Sequence, residues 1–216
     1  MIPADYKSGY FQNARPEMRP FLPQAVARML EVGCGEGEFG AWCKQTYRCE
    51  CWGLELDAVA AGRAAERLDR VLAGDAIAQA GQLPPQHFDL VVCNDVLEHF
   101  ADPEALLAQL GRALRPEGVI VCSIPNIRYY KALITIVVKG DFPRDPAGIF
   151  DHTHLRFFTR KTIEAMFARA GYRLDRLEGV MGSRSRGLAI ANFLCFGALE
   201  DTRYPQFACV ARPPRA

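Results

Sequence analysis

Three carboxylates and a run of glycines pose the first chemical question. Glu31-Val32-Gly33-Cys34-Gly35-Glu36-Gly37 sets glycines on alternate residues. Glycine reaches positive φ without strain and lets backbone approach a ligand with no Cβ in the way. A dinucleotide turn of the Gly-x-Gly-x-x-Gly type needs glycine at position 38, where this chain has Glu38. Glu31, two residues before Gly33, points the same way, because a carboxylate there repels a pyrophosphate but not a cationic ligand end. Glu55 falls about 20 residues after the glycines, where one carboxylate can accept from both hydroxyls of a ribose. Asp75, in Ala73-Gly74-Asp75-Ala76, is placed to accept from an adenine amine, while the Ala76 N–H donates to a ring nitrogen. Each acid alone also reads as a solvated loop residue or a helix cap. Together, at the ends of three successive strands, they favour S-adenosylmethionine (SAM) over NAD.

Proton transfer falls to His99, His152 and His154, because histidine alone titrates near neutrality without large perturbation. His99 follows Glu98 and reads either as a base or as a loop residue bonded to backbone. The run Asp151-His152-Thr153-His154-Leu155-Arg156 has three readings. Two histidines and an acid are metal-ligand types, but the segment shows no third ligand to complete a site, and no metal is expected. The run can instead seal the pocket, packing through Leu155, Phe157 and Phe158. Or it faces the acceptor, with His152 or His154 as base and Arg156 on an anionic group.

These residues need a frame that brings strand ends together. Residues 28–32 read as a short buried strand, 38–47 as a helix and 50–56 as a second strand. Residues 57–71 form an Ala-rich helix capped by Asp57, and 70–73 a brief third strand. Residues 88–93 are continuously apolar after Asp89, as in a central parallel strand covered on both faces. Asp102-Pro103 starts a helix that runs to about Leu114 and stops at Arg115-Pro116-Glu117-Gly118. Residues 119–124 are strand five, and Thr159 caps a helix ending at Gly171. Residues 172–180 and 207–212 are further strands, with an apolar helix near 188–199 between them. Pro3, Pro16, Pro20 and Pro23 keep the start of the chain to an extended arm or short turns. The 216 residues suit one domain: arm or lid 1–27, cofactor core 28–125, acceptor-side insertion 126–158, closing helix and strands 159–216.

Bulk composition excludes several classes. A formal net charge of +1 gives no electrostatic case for nucleic acid. The longest apolar run, Ala132 to Val138, is far short of the ~20 residues of a membrane span. With Tyr129 and Tyr130 it reads as a lid over the site, as core packing or as a dimer contact, so the chain is expected as monomer or homodimer. Eight cysteines lie in the glycine turn, in apolar runs or loosely clustered, with no secretory leader ahead of them, so free thiols in the cytoplasm are expected.

Taken in order, residues 31–37, 53–55, 74–75, 88–99 and 114–119 resemble the successive motifs of class I SAM-dependent methyltransferases. The resemblance spans residues 28 to 125. It implies a Rossmann-like α/β fold with seven mostly parallel strands, order 3-2-1-4-5-7-6 with strand seven antiparallel, and helices on both faces. It implies SAM as cofactor and S-adenosylhomocysteine as product, held by Glu31, Gly33, Cys34, Gly35, Gly37, Glu55, Leu56, Gly74, Asp75 and Ala76. Asn94, Asp95 and Val96 would sit beside the methylsulfonium. Residues 10–16, 123–126 and 150–159 are similar to a bacterial subgroup associated with polysaccharide or glycoconjugate biosynthesis. Tyr10, Arg15, Asn126, Tyr129 and Arg156 are then expected at a small-molecule acceptor, a hydroxyl of a sugar or glycoconjugate precursor. Asn94-Asp95-Val96-Leu97 departs from the Asn/Asp-Pro-Pro-Tyr/Phe run of enzymes that methylate DNA amines. N-methyl transfer and a SAM-binding module without catalysis stand as alternatives. An NAD-dependent oxidoreductase is disfavoured by Glu31, Glu38 and the lack of residues for a substrate domain.

Overall fold

The middle strands are apolar on both sides because each is covered on both sides. β1 (Arg28–Val32), β2 (Glu50–Glu55), β3 (Arg70–Ala73), β4 (Phe88–Asn94), β5 (Leu114–Pro125), β6 (Arg173–Val180) and β7 (Gln206–Arg212) form one sheet. Its order is β3-β2-β1-β4-β5-β7-β6, and β7 runs antiparallel to both its neighbours, as the resemblance implied. The computed structural model describes residues 15–214, so Tyr10 lies outside the described residues.

Side chains alternate faces along each strand. Leu30, Val91, Cys93, Ile120, Cys122, Phe207 and Cys209 meet one core. Met29, Leu90, Val92, Val119, Val121, Ala208 and Val210 meet the other. The first is covered by α3 (Ala76–Ala80), α4 (Pro103–Ala113) and α6 (Arg160–Arg169), the second by α1 (Glu38–Tyr47), α2 (Ala58–Ala64) and a 3₁₀ turn, Pro16–Phe21. Two further helical pieces leave the sheet at one end. They are α5 (Tyr130–Leu133), continued by a π turn at Ile134–Val138, and α7 (Arg186–Leu194). All eight cysteines are free thiols, and seven are buried. Among the described residues no helix is long and apolar enough to cross a membrane.

The expected starts hold where a side chain caps them. Asp57 accepts from the N–H groups of Val59 and Ala60, Asp102 from Ala105, and Thr159 closes a capping box with Thr162. Ends differ. The helix expected over 57–71 stops at Ala64, because Leu68 is drawn into the core and the Asp69 N–H bonds the Cys51 carbonyl, which starts β3. β5 begins at Leu114, five residues early, because Leu114 pairs with Phe88 and Val119 with Leu90. Residues between them form an irregularity, and a Cβ on Gly118 would stand 2.9 Å from the Phe88 carbonyl oxygen.

Candidate cofactor and acceptor site

The parallel strands all end on the same edge, and the glycine turn closes over it. Gly33, Gly35 and Gly37 take φ of 68°, 55° and 81°. The N–H groups of Gly33 and Cys34 both donate to the Leu54 carbonyl, at 2.8 and 3.1 Å, which ties the turn to β2. Glu55 completes that tie, accepting from the Gly35 N–H at 2.7 Å and the Asp57 N–H at 2.9 Å. Burial pushes the Glu55 carboxyl above its ordinary pKa, and these backbone donors oppose the shift. Leu56, next to it, is exposed at the rim. The Gly74 N–H bonds the Glu55 carbonyl at 2.8 Å and so joins the ends of β2 and β3. Asp75 spends one oxygen on the Ala78 N–H at 2.9 Å, and Ala76 is the first residue of α3, where a backbone N–H has no partner within the helix.

Glu31 lies buried beneath the turn rather than at its surface. Burial pushes its carboxyl up to about 8, and its Oε2 has no hydrogen-bond partner. The charged carboxylate assumed from sequence is therefore mostly a neutral acid near pH 7 until a cation approaches. The Asn94 side chain at the end of β4 likewise has a buried amide nitrogen and oxygen without partners. These orphaned groups and the Cβ-free turn fit a ligand that brings its own cation and hydrogen-bonding groups, as SAM does. Gly33 cannot carry a side chain: an added Cβ would stand 2.7 Å from Val96 Cγ2. Gly33→Ala is therefore expected to cost about 1–2 kcal/mol from the left-handed backbone alone. Calorimetry should also show weakened S-adenosylhomocysteine binding as Val96 is displaced.

Beyond β4 the polar groups interlock. Asp95 takes a positive φ of 54°. Its Oδ1 accepts from Ser123 Oγ at 2.9 Å and from Gln206 Nε2 at 2.8 Å. The Arg15 guanidinium donates to Asp95 Oδ2 and Ser123 Oγ and pairs with Glu17 at 2.9 Å. Arg15, expected at the acceptor, thus clamps Asp95, because a buried guanidinium takes the nearest carboxylate. Asn126 is also corrected. It is wholly buried, and its amide donates to the Asp201 and Tyr204 carbonyls while accepting from the Arg128 N–H, so it anchors the chain before β7. Arg156 is turned outward onto the Ala101 carbonyl. Tyr129 is half-buried, edge-on to Tyr130 at 4.8 Å.

The histidines separate. The N–H groups of Leu155 and Arg156 dock on the Glu98 carbonyl, which brings His99 and His154 edge to face at 4.8 Å. His152 instead faces outward, its Nδ1 on the Asp145 carbonyl at 3.1 Å. Thr153 carries the useful geometry. Its hydroxyl donates to the buried Asp151 at 2.6 Å, so it can only accept from His99 Nδ1, at 3.1 Å. His99 Nδ1 therefore holds the proton, and Nε2 keeps its lone pair. Burial, and then His154, lower the His99 pKa. Glu98 is fully buried with both carboxyl oxygens unpartnered, and Oε1 stands 3.8 Å from His154 Nε2, beyond hydrogen-bond length. Burial pushes the Glu98 carboxyl well above its ordinary pKa and the His154 imidazole below its own. Glu98, His99 and His154 bring one ligating atom each within 4.8 Å of one another, and of residues 151–156 only His154 belongs to that group. Thr153, Ser123 and Gln206 were not foreseen; only the polar flanks of Thr153 hinted at its place.

A doubly wound sheet with an antiparallel seventh strand, a glycine turn and strand-end acids defines a class I SAM-dependent methyltransferase. The chain matches the family model described as a methyltransferase domain over residues 6–177, and it belongs to that family. It is similar to the ubiquinone biosynthesis O-methyltransferase of Parvibaculum lavamentivorans, 29% identical over 76% of this chain and 66% of that protein. The enzyme of that name from Azoarcus sp. is 29% identical over 72% of this chain and 68% of its own. The chain thus spans about two thirds of the length of these curated relatives. Among solved structures, a SAM-dependent methyltransferase from Archaeoglobus fulgidus shares the fold with a TM-score of 0.64, at 20% identity over 89% of this chain and 88% of that one.

Proposed function

We propose that this domain transfers a methyl group from SAM to a hydroxyl oxygen of a small polar acceptor, with His99 as the general base. The carrying observation is the Asp151–Thr153–His99 chain, which fixes the imidazole with Nε2 as acceptor. Bound SAM supplies a methyl carbon already activated by its sulfonium. The chain's own residues then need to hold the partners in line and remove the hydroxyl proton. A neutral imidazole in a buried setting is competent for that near pH 7, whereas an amine or thiol acceptor makes less use of a base. Glu31 and Asn94 would take the amino-acid end of the cofactor, Glu55 and Leu56 the ribose, and Asp75 and Ala76 the adenine. Asp95, Ser123 and Gln206 would border the acceptor.

The relatives named for O-methyl transfer support oxygen as the acceptor atom. The sugar or glycoconjugate reading rests on residues 123–126 and 150–159. Radiolabelled SAM offered with nucleotide sugars, phenols and primary amines tests both. Label is expected on a hydroxyl compound, with a sugar preferred to a phenol. Transfer to amines alone would overturn the oxygen reading.

A further inference from the structure

Next to His99 lies a buried acid whose partner the chain does not supply. Glu98 is 1% exposed, and neither of its carboxyl oxygens has a hydrogen-bond partner. The buried guanidinium of Arg15 donates instead to Asp95 and Ser123 and pairs with Glu17. A buried polar group in that state calls for an ion, a water or a ligand. What stands beside it is a pair of imidazole lone pairs. His154 Nδ1 lies 3.2 Å from the Ile149 carbonyl. A carbonyl only accepts, so Nδ1 carries the proton and Nε2 the lone pair. His99 is fixed in the same tautomer through Thr153 and Asp151. His154 Nε2 and Glu98 Oε1 are 3.8 Å apart, too far for a hydrogen bond.

Three features favour a metal ion over a trapped water. A carboxylate and two lone pairs are three acceptor groups, and a water has two protons to give them, whereas one cation meets all three. The ligating atoms of Glu98, His99 and His154 lie within 4.8 Å of one another, the one such group among the described residues. In a tetrahedral zinc site, bonds of ~2.0–2.1 Å set ligand atoms about 3.4 Å apart, so side-chain movement of about 1.5 Å closes the group. Finally, each imidazole already donates its other ring N–H to a fixed oxygen. For His154 this is the Ile149 carbonyl, and for His99 the Thr153 hydroxyl, itself held by Asp151. Imidazoles that bind metals are oriented in this way. Two nitrogens and one carboxylate suit zinc and its transition-metal neighbours, not magnesium or calcium, which take oxygen ligands. His99 is half-buried while the other two are buried, so the group opens to solvent on its side.

We propose that Glu98, His99 and His154 bind a divalent ion of the zinc type, and that the bound ion silences methyl transfer by taking the His99 lone pair. The silencing rests on the O-methyl reading with His99 as base; the binding does not. The metal and the acceptor's hydroxyl proton compete for one nitrogen, Nε2, so the ion turns the domain off without touching the cofactor turn.

Titration of the full chain with zinc against a chromophoric chelator measures the binding with no acceptor present. Zinc is expected to bind, and magnesium should not displace it. Glu98→Gln and His154→Ala should each weaken zinc binding by at least about a hundredfold, since loss of a residue that merely orients a ligand costs roughly 10- to 100-fold. Unchanged S-adenosylhomocysteine affinity shows that each variant folds. With zinc bound, turnover of a hydroxyl acceptor should fall about 10²- to 10⁴-fold, as for a lost base, and a chelator should restore it. Absence of zinc binding, binding undiminished in both variants, or magnesium binding as tightly as zinc would overturn the site. Turnover unchanged or raised by bound zinc would overturn the silencing. A domain that methylates no hydroxyl compound would remove the silencing together with the O-methyl reading, while the binding measurement still decides the site.

Discussion

Glu31→Gln is expected to weaken S-adenosylhomocysteine binding roughly ten- to a hundredfold, the loss of one charge-assisted hydrogen bond in a buried site. The same substitution should stabilise the ligand-free protein in alkali. Native Glu31 keeps its proton to about pH 8, whereas an unperturbed carboxyl gives it up near 4.5. A raised folded-state pKa means that the contribution to stability is full below 4.5 and is lost as pH climbs through about 8. Across that window the loss is on the order of 5 kcal/mol. The glutamine variant has no such proton to lose, so its melting temperature should fall less between pH 6 and pH 8.5. Ligand binding gives an independent readout. A cation beside Glu31 drives the proton off, so at pH 7 the binding enthalpy of the wild type should vary with the ionisation enthalpy of the buffer. That of the glutamine variant should not. Equal buffer dependence in both proteins would remove Glu31 from the cofactor's cationic end.

His99→Ala should lower turnover about 10²- to 10⁴-fold while leaving S-adenosylhomocysteine affinity intact. In the wild type, kcat should rise with pH along a single limb. Its midpoint should lie below the ordinary histidine value, because burial and the neighbouring His154 lower the His99 pKa. Thr153→Val separates positioning from packing. Valine keeps the volume but cannot accept from His99 Nδ1, so kcat should fall and the limb should move while KM stays nearly constant. Thr153→Ser should restore both. A rise in KM with no change in the pH profile would make Thr153 structural only. If a chelator abolishes wild-type activity and a divalent cation restores it, the Glu98, His99 and His154 group acts as a ligand set and the base assignment fails.

Local chemistry explains why so much of the cofactor half was readable. Gly33, Gly35 and Gly37 are required by their own backbone angles, and Asp57, Asp102 and Thr159 cap helices within three residues of themselves. Strands such as 88–93 announce double coverage through an unbroken apolar run, because both faces meet helices. Ends were less legible. The helix over 57–71 ends short of its apolar pattern because periodicity alone does not register that Asp69 bonds Cys51 across the sheet. β5 starts early because its first pair, Leu114 with Phe88, depends on another strand.

The acceptor half depended on contacts that no spacing encodes. Arg15, expected at the acceptor, instead gives its charge to Asp95, 80 residues away. Asn126 looked like a recognition residue until carbonyls 75 and 78 residues on consumed its amide. In an extended run His152 and His154 would share a face, but residues 152–153 form a turn closed by the His154 N–H on the Asp151 carbonyl, so His154 reaches His99 while His152 turns outward. By itself, then, the sequence determined the sheet, the glycine turn and the acids at its strand ends, since those follow from backbone angles and periodicities of a few residues. Which histidine meets which partner, and whether a buried carboxyl is charged, the tertiary structure alone decided. Those outcomes depend on desolvation and on groups that chain folding brings together from fifty or more residues apart.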